Sequence, residues 1–323
     1  MANAVRVHQC GGPEVLTFEQ VETAEPGPGE VRIAQSAVGL NFIDVYHRTG
    51  LYPLELPCPI GMEAAGTIEA VGEDVGQFHE GDRVAYASPP VGAYTDQRVI
   101  AADRIVKLPD AISEEMAASI MLQGMTAEYL IKRTFPVETG QTVLFHAAAG
   151  GVGLLACQWL KQIGATVIGT VGNADKAALA QEHGCDHTII YSDENFVDRV
   201  REITDGQGVP VVFDSVGAST FEGSLDCLLP RGMLVSFGSA SGPVPPFNLA
   251  MLAQKGSLYV TRPTLMTYTA SHEELVESAN ELFEAVHRGL RVNINQRYPL
   301  KDAEQAHRDL EARKTTGSTI LIP

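Results

Sequence analysis

No two of the five cysteines stand at C-x-x-C spacing. They fall at positions 10, 58, 157, 185 and 227 of a 323-residue chain, and their number is odd. Neither a disulfide framework nor a cysteine-rich zinc site is supported. Positive charge is also scarce: 23 Lys and Arg against 40 Asp and Glu leave a net charge of −17 at pH 7. Nucleic acids and anionic membranes are held through basic surfaces, so this balance argues against either as a partner. The opening residues, MANAVRVHQCGGPEV, lack the basic-then-apolar run of a secretory signal. The most apolar stretch, residues 143–156, is too short to span a bilayer and contains His146 and three glycines. The expectation is a cytoplasmic enzyme in a reducing compartment, with no metal.

What is present is turn-rich and globular. There are 31 glycines and 18 prolines, and a hydrophobic content of 45% suffices for a sizeable core. At ~150 residues per domain the length suggests two domains. In the first ~120 residues, short apolar runs are cut by turn signals such as Pro26-Gly27-Pro28-Gly29 and Gly81-Asp82-Arg83, the pattern of a barrel or sandwich. Ser113 then opens a helical stretch. From about Gln123 strands and helices alternate. Strands are expected at 142–145, 165–171, 188–191, 209–213, 233–237 and 257–260, with helices after 151, 176, 196 and 221. That alternation predicts an α/β, doubly wound parallel sheet. Near the end, Ser271-His272-Glu273-Glu274 is a capping box opening a helix that Gly289 closes. Strand-like runs at 291–295 and 319–322 are too few for a domain and are expected to return to the first one.

The strand at 143–145 runs through His146-Ala147-Ala148-Ala149-Gly150-Gly151-Val152-Gly153 into a helix face. This is a G-x-G-x-x-G pattern at 148, 150 and 153 with Ala148 in the first position. A small Gly150 lets the backbone approach a pyrophosphate, the helix N-terminus supplies N–H donors, and Gly153 permits close helix–strand packing. Placed between a strand and an amphipathic helix, the turn reads as a dinucleotide site rather than a mere tight turn. The next strand ends Gly169-Thr170-Val171-Gly172-Asn173 with no acid at its tip, where an NAD site usually carries one. Lys176 follows. A cation near a missing acid points to a 2′-phosphate and hence NADPH, although Asp175 is close by and a solvated helix lysine is the simpler alternative.

These residues resemble a known family. The pattern Gly140-Gln141-x-x-Leu144-x-x-x-Ala148-Ala149-Gly150-Gly151-x-Gly153-x-x-x-x-Gln158-x-x-Lys161 is similar to the signature of the quinone oxidoreductase, or ζ-crystallin-like, branch of the medium-chain dehydrogenase/reductase superfamily. Gly39-Leu40-Asn41-Phe42-x-Asp44-x-x-x-Arg48-x-Gly50, Gly61-Met62-Glu63-x-x-Gly66, Gly81-Asp82-Arg83-Val84 and Asp214-Ser215-Val216-Gly217 extend the likeness over nearly the whole chain. It implies a Rossmann domain, residues 123–261, inserted into a discontinuous GroES-like barrel of residues 1–122 and 262–323, with a cleft between them. It also implies NADPH-dependent quinone reduction and a homodimer joined through the Rossmann edge strand bounded by Ser257 and Val260.

The resemblance carries residue roles. Asn41, Phe42, Ile43, Asp44 and Val45 would line the nicotinamide, with Thr126 and Tyr129 near the cofactor. Gly150, Gly151 and Val152 would hold the pyrophosphate. Gly172, Asn173, Lys176, Tyr191 and Arg313 would surround the adenosine ribose and its phosphate. Ser215, Phe237, Gly238 and Ser239 would follow the cofactor along later strand ends. Tyr46 and Tyr52 would border the quinone, with Asn41 and Tyr46 orienting it. Zinc-dependent relatives carry Cys and His where this chain has Asn41 and Met62, and a four-cysteine lobe where residues 86–96 have no Cys; both zinc sites are expected to be lost. The group His183, Cys185, Asp186 and His187 is a rival metal cluster.

Without a Lewis acid the protein must act by positioning, which suits a quinone because hydride addition aromatises the ring. The second oxygen would be protonated from solvent or Tyr52. Each tyrosine could equally be a packing residue, and His47 is either a proton relay or an exposed loop histidine. Two other functions compete. One is NADPH-dependent reduction of α,β-unsaturated ketones or enoyl thioesters. The other is a crystallin-like or RNA-binding role, known for eukaryotic members, which the net charge disfavours.

Overall fold

The computed structural model describes residues 1–323. Along the chain, β1 (Ala2–Val7), β2 (Leu16–Val21) and β3 (Glu30–Leu40) lead to helix α1 (Phe42–Thr49). The short strand β4 (Cys58–Pro59) is followed by β5 (Glu63–Val71), β6 (Arg83–Ala87), β7 (Gln97–Ala101) and β8 (Val106–Lys107), and then by helix α2 (Glu114–Glu128). Helix α2 continues directly into a π-helical turn, Tyr129–Thr134.

The following segment alternates strictly. Strand β9 (Thr142–Phe145) gives way to α3 (Gly151–Ile163), β10 (Thr166–Val171), α4 (Ala174–Glu182), β11 (His187–Ile190) and α5 (Phe196–Ile203). Next come β12 (Val209–Asp214), α6 (Phe221–Asp226), β13 (Leu228–Ser236), α7 (Ala250–Gln254) and β14 (Tyr259–Thr261). These six strands form one sheet in the order β11-β10-β9-β12-β13-β14, every neighbouring pair parallel. Counted from β9 this is the 3-2-1-4-5-6 order of a Rossmann fold. Its topological switch point lies between β9 and β12, where ligands bind outside the strands' carboxyl ends. Leu144, Ile168, Ile189, Val212 and Leu234 are fully buried in its core, because parallel strands covered on both faces read as near-continuous apolar runs.

The chain closes with α8 (Leu265–Tyr268), α9 (His272–His287), β15 (Ile294–Pro299), α10 (Ala303–Glu311) and β16 (Ser318–Ile322). Strand β16 pairs antiparallel with β3, so the last residues join the first sheet: β15-β16-β3-β5-β6-β8, with β7 also on β3. A small sheet, β2-β1-β4, accompanies it. Val31, Ile33, Ile60, Ile68, Val84, Tyr94 and Leu321 form its core. Two compact units result: Met1–Met125 with Tyr268–Pro323, and Thr126–Thr267. No helix is long and apolar enough to cross a membrane.

Local chemistry explains several boundaries. Ser271 Oγ accepts from the Glu274 N–H while Glu274 accepts from the Ser271 N–H, so the capping box starts α9 where the sequence places it. Elsewhere the elements shift. The strand expected at 257–260 is Tyr259–Thr261, because Ser257 sits in a left-handed turn with φ 57°. The one expected at 291–295 begins only at Ile294. Tyr191 lies just beyond β11 rather than at its end.

Candidate active site

In the Rossmann unit the candidate site is the turn from β9 into α3. Three backbone hydrogen bonds shape it: His146 N–H to Phe213 O at 3.0 Å, Ala148 N–H to Thr170 O at 3.0 Å, and Gly150 N–H to Ala147 O at 2.9 Å. The first reaches across the switch point to β12, and the second ties the turn to β10. Ala147 adopts φ 56°, a left-handed conformation that costs a residue with a Cβ about 1–2 kcal/mol and persists only where its surroundings enforce it. Gly150 then starts α3 from extended geometry with no side chain capping the helix. The first N–H groups of a 13-residue helix are thus left to a ligand, and its dipole favours an anion there. Gly153 is required by packing: a Cβ on it would lie 2.5 Å from Ala147 O and 2.7 Å from Ala148 C. The cradle is the geometry a pyrophosphate needs.

The neighbouring strand ends surround this turn. Gly172 follows β10, and a Cβ added to it would lie 2.9 Å from the Tyr191 hydroxyl, so Gly172 and Tyr191 share one spot. Asn173 caps α4, its side chain accepting from Lys176 N–H at 2.9 Å. That places the Lys176 side chain one turn from the end of β10. At the end of β12, Asp214 is 1% exposed and its carboxylate accepts from the Val216 and Gly217 N–H groups at 2.7 and 3.1 Å. This fixes the loop carrying Ser215. Phe237 N–H donates to Asp214 O, and Arg262 donates to Ser236 O and Gly238 O, so Phe237, Gly238 and Ser239 leave β13 on a braced path.

The barrel unit has its own cluster around α1, a helix absent from the sequence expectation. Asn41 precedes it, its N–H donating to Asp44 Oδ2 at 2.9 Å, and Gly50 ends it in the left-handed region. The Asn41 side chain donates to Glu63 Oε2 at 2.6 Å and accepts from Gln123 at 3.2 Å. Glu63 Oε1 accepts from the Leu122 N–H. Burial pushes the Glu63 carboxyl up to about 8 against these donors. The same cause raises Asp44 to about 7, opposed by the Asn41 N–H and the Tyr94 hydroxyl. One oxygen of Asp44, Oδ1, is buried with no partner.

Beside these acids sits an aromatic group. Phe42 and Tyr46 have ring centroids 5.5 Å apart, and Tyr46 and Tyr52 stand edge to face at 5.2 Å. His47 is not on an exposed loop. It is 8% exposed on α1, near the Tyr52 ring, and burial lowers its basicity. Ile43 and Val45 belong to the same helix. Thr126 lies in α2 and Tyr129 opens the π-helical turn, both buried; π-turns recur at functional sites. Arg313 is on an exposed turn after α10 with φ 58°. The sequence had no signal for the π-turn or for the Asp44–Tyr94 contact, which needs residues 50 positions apart.

The rival metal cluster disperses. His183 Nδ1 pairs with Leu179 O, Cys185 Sγ donates to the His187 carbonyl, and Asp186 pairs with Lys161.

Comparison with known proteins follows this geometry. Residues 27–131 match the alcohol dehydrogenase GroES-like domain and residues 151–283 the zinc-binding dehydrogenase domain. A quinone oxidoreductase of Pseudomonas aeruginosa is 55% identical over 325 residues, covering all of both chains. This chain belongs to the quinone oxidoreductase family of the medium-chain dehydrogenase/reductases. The crystal structure of the Escherichia coli quinone oxidoreductase complexed with NADPH is 50% identical with a TM-score of 0.98, covering 99% of this chain and 100% of that one. A second activity occurs among similar proteins: a 2-haloacrylate reductase of Burkholderia is 44% identical over all of this chain and 99% of its own. The α/β architecture, a GroES-like domain and a Rossmann-like parallel sheet, is that of this quinone oxidoreductase family.

Proposed function

We propose that this enzyme reduces quinones with NADPH by hydride transfer and without zinc. The observation that carries the reading is the uncapped α3 N-terminus above Gly150 and Gly153, at the switch point of a Rossmann sheet. The 50% identical relative complexed with NADPH supports it. NADPH, when bound, supplies the hydride. Gly150, Gly151 and Val152 would hold its pyrophosphate. Gly172, Asn173, Lys176, Tyr191 and Arg313 would surround the adenosine ribose and 2′-phosphate. Ser215, Phe237, Gly238, Ser239, Thr126, Tyr129, Asn41, Phe42, Ile43, Asp44 and Val45 would accompany the rest.

One matched domain is described as zinc-binding, and zinc makes a definite demand on its donors. Three protein ligands and an open position are needed. Here Asn41 offers an amide already shared between Glu63 and Gln123, and Met62 offers a buried thioether. No group of three His, Cys, Asp or Glu side chains is arranged to hold a metal ion. The residues do not fit zinc. Asn41 and Tyr46 would orient the quinone and Tyr52 would border it. The oxygen left anionic by hydride addition takes its proton from Tyr52 or solvent.

We infer a homodimer through the β14 edge and a cytoplasmic setting, the latter supported by five free cysteines, four of them buried. A panel of quinones, enones, haloacrylate and enoyl thioesters, with NADPH and NADH, tests the function. The expected result is fastest NADPH oxidation with quinones. Turnover confined to the activated alkenes would transfer the assignment to the reading that the Burkholderia relative favours.

A further inference from the structure

His146 stands at the foot of the cofactor turn, yet a pyrophosphate cradle needs only small residues and backbone donors there. It is 1% exposed. Its Nδ1 lies 2.9 Å from Thr170 Oγ1 at the end of β10, and its Nε2 lies 3.0 Å from Ser224 Oγ in α6. Ser224 in turn donates to Asp214 Oδ2 at 2.9 Å, and Thr220 donates to the same oxygen at 2.7 Å.

The proton positions follow from the ends of this chain. Asp214 accepts four hydrogen bonds and can only accept them as a carboxylate. Ser224 has one proton and gives it to Asp214, so its oxygen accepts from His146 Nε2–H. His146 Nδ1 therefore carries a lone pair and accepts from the Thr170 hydroxyl. The imidazole is neutral, in keeping with its burial, which lowers its basicity against the pull of Asp214. Each member uses its proton once, and the hydrogen bonds all run from β10 to β12. With the backbone bonds to Phe213 and Thr170, the imidazole ties together the ends of β9 and β12, which flank the switch point, and of β10 beside β9. The residue immediately after it, Ala147, is the strained one.

We propose that His146 is a positioning residue for the nucleotide: its neutral ring locks the β9–α3 turn against Thr170 and the Ser224–Asp214 pair, holding Ala147 and the α3 N–H groups in the geometry that binds NADPH. The proposal rests on the reading that this turn binds NADPH. It predicts coupling between His146 and Thr170, since either substitution breaks the same link.

NADPH dissociation constants for the intact enzyme, measured by calorimetry, test it. Thr170→Val, which removes one buried hydrogen bond, should weaken NADPH about five- to tenfold, and His146→Leu, which removes that bond and the one to Ser224, at least as much. The double variant should be no weaker than the worse single one. His146→Asn, whose side-chain oxygen can still accept from Thr170, should recover most of the loss. KM for a quinone at saturating NADPH should stay at the wild-type value in all of them. Independent, multiplying losses would overturn the proposal, as would an Asn variant no better than Leu, or losses under twofold. Thr170→Val, nearly isosteric, and Ser224→Ala carry the same comparison if His146→Leu does not fold. Wild-type protein that does not bind NADPH would overturn the underlying reading; wild-type that binds, with unaffected variants, overturns the role of His146 alone.

Discussion

A lysine one turn into a helix illustrates what a single residue can decide. Lys176 hangs from an α4 N-terminus fixed by Asn173, close to the end of β10, whose tip Gly169–Asn173 carries no acid to take a ribose 2′-hydroxyl. If its ammonium meets the 2′-phosphate, Lys176→Ala should cost about 1.5–3 kcal/mol of NADPH binding, the range for charged hydrogen bonds. NADH, which lacks that phosphate, should bind the variant as it binds the wild type. Titration of both dinucleotides checks this, and equal losses would remove Lys176 from the assignment. The glycines of the turn were legible in the sequence because their reason is steric and local. His146 was legible only as a polar intrusion in an apolar run. Its partners Thr170 and Ser224 come from two other elements, and no spacing rule connects them.

At the scale of elements, what sequence patterning captured and missed divides by period. The Rossmann strands and helices were readable because parallel strands are solidly apolar and their helices are amphipathic. Helix α1 was not: Phe42-Ile43-Asp44-Val45-Tyr46 mixes β-branched and aromatic residues that favour strands, and tertiary burial of Asp44 and Arg48 overrides them. That helix and the start of β5 bury two carboxyls, with a consequence for stability. Glu63 is raised from 4.5 to about 8 and Asp44 from 3.8 to about 7, each chiefly by burial. Between the unfolded and folded values the native state holds protons that the unfolded chain has released. Buried histidines His47, His146 and His307 are shifted downward by burial and act the other way up to their ordinary value of about 6.5. Unfolding free energy should therefore fall as pH rises from about 6.5 to about 8. Paired acids such as Asp82 and Glu114 are shifted downward, so their opposite contribution lies at lower pH. Urea denaturation across that window should show the decline, and Glu63→Gln should shrink its slope. An unchanged slope in that variant would mean Glu63 does not carry it.

For the whole molecule, the return of β16 onto β3 matters most for how the chain is read. The discontinuous first unit was visible in the sequence only as a few strands too many at the C-terminus, and its pairing partner lies some 280 residues earlier, Thr319 opposite Leu40. The same long view applies to the other end of the Rossmann sheet. Strand β14 has β13 on one side and no strand of this chain on the other. Tyr259 on it is 58% exposed, and Leu249, just ahead of α7 in the same unit, is 73% exposed. An unpaired edge bearing an exposed aromatic side chain is a liability that proteins cover, and a second copy of the same edge covers it with two-fold symmetry. Light scattering should thus give twice the 34.6 kDa chain mass. Tyr259→Asp would put a negative charge on this edge of each copy and should shift the population toward monomer while leaving NADPH affinity intact. A wild-type monomer at micromolar concentration would leave the edge to its own brevity, three residues being too short a strand to recruit a stranger.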